Sequence, residues 1–192
     1  YCSSSHNIIY HHRTQGTGAE GVHVANIIKG FRKLGHKVYV VSLPGVDAEK
    51  TAGNSPYIKK HGFVRKFFGF LSRHMPQFLF EMLELAYNLK ASTMLKKILK
   101  DRQVDFIYER YAFFIFAGVK LARKFNIPII VEVNEVAGEK RVRKQFFTGL
   151  AKRIEKHIFQ NADAIVVVSD FLKRKIMEYG INEGKIFVIP NA

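Results

Sequence analysis

Short apolar runs of strand length alternate along this chain with longer stretches whose apolar residues recur at helical spacing. Ile8 to His12 reads as a first strand. Val22 to Leu34 follows with Val24, Ile27, Ile28, Phe31 and Leu34 on one helical face, and Gly35 stands where a C-terminal cap belongs. Lys37 to Ser42 predicts the second strand, and Pro44 to Pro56 a loop. Asp105 to Tyr108, Ile129 to Val133, Ile165 to Val168 and Ile186 to Ile189 predict four more strands. Helices are expected over Phe78 to Lys100, Ala112 to Phe125, Glu139 to Gln160 and Asp170 to Tyr179, the last capped by Ser169 or Asp170 and stopped by Gly180. Strands alternating with helices predict an α/β fold, a Rossmann-like parallel sheet with helices on both faces.

The 192 residues suit one domain with a substantial core, and 47% hydrophobic content excludes a disordered chain. No apolar run approaches the ~20 residues that span a bilayer. The lone Cys2 can form no intrachain disulfide and no metal cluster, so no metal site is expected and a reducing, cytoplasmic setting is the simplest reading. A net charge of +15 implies an anionic partner: nucleic acid, lipid head groups or a phosphorylated substrate.

Gly16-Thr17-Gly18-Ala19-Glu20-Gly21 is a G-x-G-x-x-G between a strand and a helix. Small residues there let backbone N–H groups approach a phosphate at a helix N-terminus. A dinucleotide site also needs an acid at the end of the second strand, and here that strand ends Val40-Val41-Ser42-Leu43. An NAD(P)-binding oxidoreductase domain therefore ranks below a flexible loop whose glycines serve packing. His23 follows on the first helix, where packing or capping is at least as good a reading as a ligand contact. His11 and His12 are adjacent on a strand and point to opposite faces, which argues against a shared metal.

Two strand ends are polar: Tyr108-Glu109-Arg110-Tyr111 and Glu132-Val133-Asn134-Glu135. Ligands of open α/β sheets bind beyond such C-terminal ends. The groups either form an internal Glu–Arg ion pair that stitches loops together or line a binding site. The segment from Ile58 to Met75 is basic and rich in Phe. Lys59, Lys60, Phe63, Arg65, Lys66, Phe67, Phe70 and Arg73 would suit either a core-packed helix with a solvated basic face or contact with an anionic membrane. Arg141, Arg143, Lys144, Lys152, Arg153 and Lys156 add to the positive charge.

Three passages carry a resemblance: Gly16 to His36, with G-x-G-A-E-G-V-H-V and then L-G-H-K-V; D-F-I-Y-E-R-Y with I-P-I-I-V-E-V-N-E and Glu139; and A-D-A-I-V-V-V-S followed by K-I-F-V-I-P-N-A at the end. Together they resemble the N-terminal domain of a family four glycosyltransferase of the two-domain GT-B fold. The resemblance implies that residues 1–192 form the acceptor-side half and that a donor-binding half is absent. It implies hexosyl transfer with retention from a nucleotide-diphosphate sugar, with no tightly bound cofactor and no metal ion, in cell-envelope glycolipid or polysaccharide synthesis. Gly16, Thr17, Gly18 and Gly21 would face the donor diphosphate. His23, Tyr108, Glu109, Arg110, Glu132, Asn134 and Glu139 would meet the acceptor, with Glu109, Arg110 and Glu132 as candidate catalytic groups. Many family members place a histidine near the position of Tyr108, and this chain does not. The domain alone is expected to be inactive, cytoplasmic or peripheral on the inner membrane face, and without a nucleic-acid partner. A basic nucleic-acid-binding module is the remaining alternative.

Overall fold

The computed structural model describes residues 4–14, 18–43, 76–139 and 146–190. Six parallel strands form one sheet: β1 (Asn7–His11), β2 (Lys37–Val41), β3 (Phe106–Arg110), β4 (Ile129–Val133), β5 (Ala164–Val167) and β6 (Ile186–Val188), in the order β2-β1-β3-β4-β5-β6. Among the described residues five α-helices connect them: α1 (Gly18–Lys33), α2 (Gln77–Asp101), α3 (Ala117–Phe125), α4 (Thr148–Asn161) and α5 (Asp170–Met177). The expected fold class is therefore found.

Right-handed crossovers decide the layers. The step from β1 to β2 runs one way across the sheet and every later step runs the other, so α1 packs on one face and α2 to α5 on the opposite one. Ile8, Tyr10, Val24, Ile28, Val38 and Tyr108 form the core under α1. The larger core, with Ile9, Ile107, Val131, Leu95 and Phe159, lies under the other helices. The order reverses between β1 and β3, and such a switch point opens a crevice at the strands' C-terminal ends. Along the α1 face no described helix covers the far side of the sheet, where Phe187 of β6 is exposed.

Local chemistry sets the ends. Gly35 takes φ +85° after α1, a conformation that favours glycine. Ser169 caps α5, its Oγ accepting from Leu172 N at 3.4 Å, and Gly180 takes φ +78° after the last turn. Three boundaries differ from the sequence reading. Helix α1 begins at Gly18, so Gly18 and Gly21 belong to its first turns rather than to a loop. Strand β3 continues past Tyr108 to Arg110 because Glu109 and Arg110 pair with Val131 and Glu132 of β4. Helix α3 begins at Ala117, not Ala112. Its entry is a tight turn with Phe114 at φ +64°, and Asn88 of α2 holds that turn by accepting from Phe116 N at 2.8 Å and Ala117 N at 3.0 Å.

Candidate functional site

At the C-terminal edge of β3 and β4, Glu132 gathers four side chains. It is 2% exposed. Its Oε1 accepts from Arg110 Nη1, from Asn134 Nδ2 at 2.8 Å and from His23 Nε2 at 2.8 Å. Its Oε2 accepts from Tyr108 O–H at 3.2 Å. Strand alternation explains the gathering: Tyr108 and Arg110 are two residues apart on one strand, Glu132 is the register partner of Arg110, and all face α1. Helix α1 supplies His23 one turn below its start, and Glu20 Oε1 stands 3.9 Å from Arg110 Nη2.

The carboxylate's acceptor positions are thus taken by protein donors, which makes Glu132 an anchor. The groups it anchors keep unused capacity. Arg110 retains Nη2, too far from Glu20 for a hydrogen bond. With Nε2–H donated to Glu132, His23 presents its Nδ1 lone pair. The site therefore offers one fixed cation and one oriented imidazole beside the first turn of a helix.

Behind it, Tyr10 stacks on Tyr108 with ring centroids 5.4 Å apart and planes 14° from parallel. Burial and the Glu132 charge push both phenols well above their ordinary range. His12 follows β1 at the switch point, fully buried. Its Nδ1 meets Thr14 Oγ1 at 3.1 Å, and its Nε2 has no hydrogen-bond partner among the described residues. Burial, then the His11 and Arg110 charges, pull His12 down to about 4. The sequence reading weighed His12 only as a metal ligand. Its place at the end of β1, beside the polar ends of β3, was the signal that could have marked it.

Five of the predicted acceptor residues meet here: His23, Tyr108, Arg110, Glu132 and Asn134. Two do not. Glu109 points through the opposite face, because neighbouring strand residues alternate, and its Oε2 lies 2.5 Å from His11 Nδ1. Glu139 lies apart, its Oε1 3.2 Å from Lys175 Nζ of α5. Gly18, at φ +67°, opens α1, and Gly21 is buried against the sheet. Gly16, Thr17 and the whole basic segment from Lys59 to Arg73 lie outside the described residues. Beyond β2, Ser42 and Leu43 bring no carboxylate to a ribose position.

Sequence reasoning also missed the buried acids that hold the loops around this edge. Glu155 of α4 accepts from Tyr111 O–H at 2.8 Å, Ala137 N at 2.9 Å and Tyr179 O–H. Burial raises its carboxyl despite those bonds. Glu84 pairs with Arg13 at 2.7 Å, and Glu81 accepts from Phe146 N and Phe147 N at 2.7 Å each. Among the described residues, no group of three or more His, Cys, Asp or Glu could hold a metal ion, and no helix is long and apolar enough to cross a membrane.

The family described as Glycosyltransferase Family 4 matches residues 20–192. The chain belongs to that glycosyltransferase family. No curated protein matches it. Solved structures match its fold. A glycosyltransferase from Rickettsia africae is 18% identical with a TM-score of 0.59, the match covering 99% of this chain and 44% of that one. S. aureus MnaA, solved with UDP, is 15% identical at TM-score 0.59, with 96% and 43% covered. Anabaena HepE, solved with UDP and glucose, is 13% identical at TM-score 0.59, with 97% and 44% covered. This glycosyltransferase-family chain thus spans less than half the length of those proteins.

Proposed function

We propose that this chain is the N-terminal, acceptor-side domain of a retaining, hexosyl-transferring glycosyltransferase, whose nucleotide-sugar is held by a second domain. The observation that carries the reading is the Glu132 cluster at the sheet's C-terminal edge, with Arg110 and His23 anchored but not used up. Structural neighbours solved with UDP, and with UDP and glucose, support a nucleotide-diphosphate sugar as donor.

In this reading Arg110 faces the diphosphate leaving group, or a phosphate on the acceptor, and offsets developing negative charge in a water-poor cleft. His23 Nδ1 accepts a hydrogen bond from the attacking acceptor hydroxyl, and Glu132 fixes the tautomer that allows it. Tyr108, donating to Glu132, and Asn134 hold that carboxylate in place. The α1 N-terminus adds partial positive charge toward the diphosphate. No metal ion or tightly bound cofactor is needed for these roles. The acceptor belongs to cell-envelope glycolipid or polysaccharide synthesis, and the enzyme works from the cytoplasm at the inner membrane face.

The test is release of nucleoside diphosphate from a panel of UDP-, GDP- and ADP-sugars by the full-length protein that carries this chain. Arg110→Ala should lower kcat/KM by roughly 100-fold, the scale of losing one charge-stabilising donor. Turnover that needs Arg110 and survives a chelator supports the reading. Equal turnover with Arg110→Ala, or full activity of residues 1–192 alone, overturns it.

A further inference from the structure

Helix α2 is reversed relative to an ordinary surface helix over its first half. Its buried face there carries Glu81, Glu84 and Asn88 beside Tyr87, while its outward face carries Phe78, Leu79, Met82, Leu83 and Leu89. The second half is conventional, with Ala91, Leu95 and Leu99 buried and Lys90, Lys96, Lys97 and Lys100 exposed. At 100° per residue, the exposed apolar and exposed basic residues share one side of the helix. Of the three acids of α2, Glu81 and Glu84 point inward and Asp101 is exposed at the C-terminal end, so that side is apolar first and mainly basic after.

The inversion has a cause within the fold. Glu81 and Glu84 hold the loops of the site edge: Glu84 binds Arg13 just after β1, and Glu81 binds the backbone of Phe146 and Phe147. With the inward positions given to carboxylates, nothing obliges the outward positions to be apolar, yet they are. The Glu81 bonds also bring Phe146, 65% exposed, beside Phe78, with ring centroids 6.0 Å apart. The apolar stripe therefore lies at the same edge of the sheet as the Glu132 cluster.

We infer that the outward side of α2, with Phe146, is a docking surface for an anionic lipid bilayer. Apolar side chains enter the acyl boundary and the lysines farther along meet phosphate head groups. A stripe followed by four exposed lysines, against the single exposed acid Asp101, suits a negatively charged lipid surface better than a second copy of this basic chain, whose like charge repels it. Docking there lays the α2 side of the sheet on the leaflet, with the Glu132 cluster on the opposite, α1 side and the strands' C-terminal edge opening beside the membrane surface. This deepens the proposed function and rests on it for the nature of the acceptor, while the surface itself stands on the exposed side chains.

The experiment is flotation of the full-length protein with phosphatidylcholine vesicles containing about one third phosphatidylglycerol, against phosphatidylcholine alone. Binding should require the anionic lipid. Leu79→Glu/Leu83→Glu and, separately, Lys96→Glu/Lys97→Glu should each weaken it at least tenfold, with the thermal midpoint moved by no more than about 2–4 °C. Three results would overturn the inference: vesicle binding unchanged in both variants, a large fall in thermal midpoint showing that the chain itself covers the stripe, or loss of a dimer showing that a second copy does. Nucleoside diphosphate release is measured in parallel without vesicles. Its absence sinks the transferase reading and leaves the docking result to be judged alone.

Discussion

A methyl group added to Gly118 would sit 1.7 Å from Oε2 of Glu109. Glycine is required at this point of α3 because a buried carboxylate fills the space where a side chain would be. Glu109 has no easy escape, since it is 2% exposed and tied to His11 Nδ1 at 2.5 Å. Gly118→Ala should therefore destabilise the chain by about 1–3 kcal/mol, the range for overpacking a filled core, despite alanine's better helix propensity. Urea denaturation measures it. The double variant Gly118→Ala/Glu109→Ala should recover part of the loss on top of the Glu109→Ala background, which a purely backbone effect would not.

Asn88 closes the entry to α3. Its Oδ1 accepts two backbone N–H groups that have no cap of their own, because Phe116 at the N-cap position offers no side-chain acceptor. Its Nδ2 donates to Phe114 O at 2.7 Å, in the turn where Phe114 takes φ +64°. Asn88→Ala leaves two donors near the core unsatisfied and releases a strained turn, so a loss of about 2–4 kcal/mol is expected. Asn88→Asp keeps the acceptor and should cost less. Amide exchange at Phe116 and Ala117 should speed up in the alanine variant before global unfolding does.

His12 makes stability fall on acidification. Its folded pKa, about 4, lies below the ordinary 6.5. Between those values the unfolded chain binds a proton that the folded chain refuses, so stability present above pH 6.5 declines as pH drops and levels off below 4. The full span is worth about 3 kcal/mol. Glu155 works in the opposite sense: burial raises its carboxyl, so its contribution is greatest below the ordinary carboxylate range and declines as pH rises. Denaturant midpoints of His12→Gln and Glu155→Gln, each compared with the parent from pH 4 to 8, should diverge in opposite directions. Parallel curves for His12→Gln would refute its assignment.

The sheet was legible because its strands are apolar runs such as Ile129 to Val133, whose type and position survive any plausible packing. The polar pair Arg110 and Glu132 was also legible, since two parallel strands that end in charge at the same level must bring those charges together. What stayed hidden were choices made by neighbours. Whether Glu109 shared the site depended on β3 extending to Arg110, which fixes the alternation. The start of α3 depended on Asn88, 28 residues before Phe116. Helix α2 has no clear apolar face to read, because its inward side changes from carboxylates to aliphatics halfway along.

Arg110 and Glu132 should separate binding chemistry from structure. Glu132 is held by four donors and is nearly inaccessible, so Glu132→Ala leaves a buried guanidinium without its partner, and such a loss runs to about 3–5 kcal/mol. Glu132→Gln keeps an acceptor for Tyr108 and Asn134 and should unfold less readily, but it presents an amide to His23 and removes the charge that holds Arg110. Arg110→Lys keeps the charge and loses the planar fork that reaches Glu132 while leaving Nη2 directed outward. In the full-length protein, Arg110→Lys should lose at least tenfold in kcat/KM with its denaturant midpoint little changed, whereas Glu132→Ala should lose both. If Arg110→Lys retains full activity, the guanidinium serves only as a strut for Glu132, and the anion-facing role of Nη2 falls.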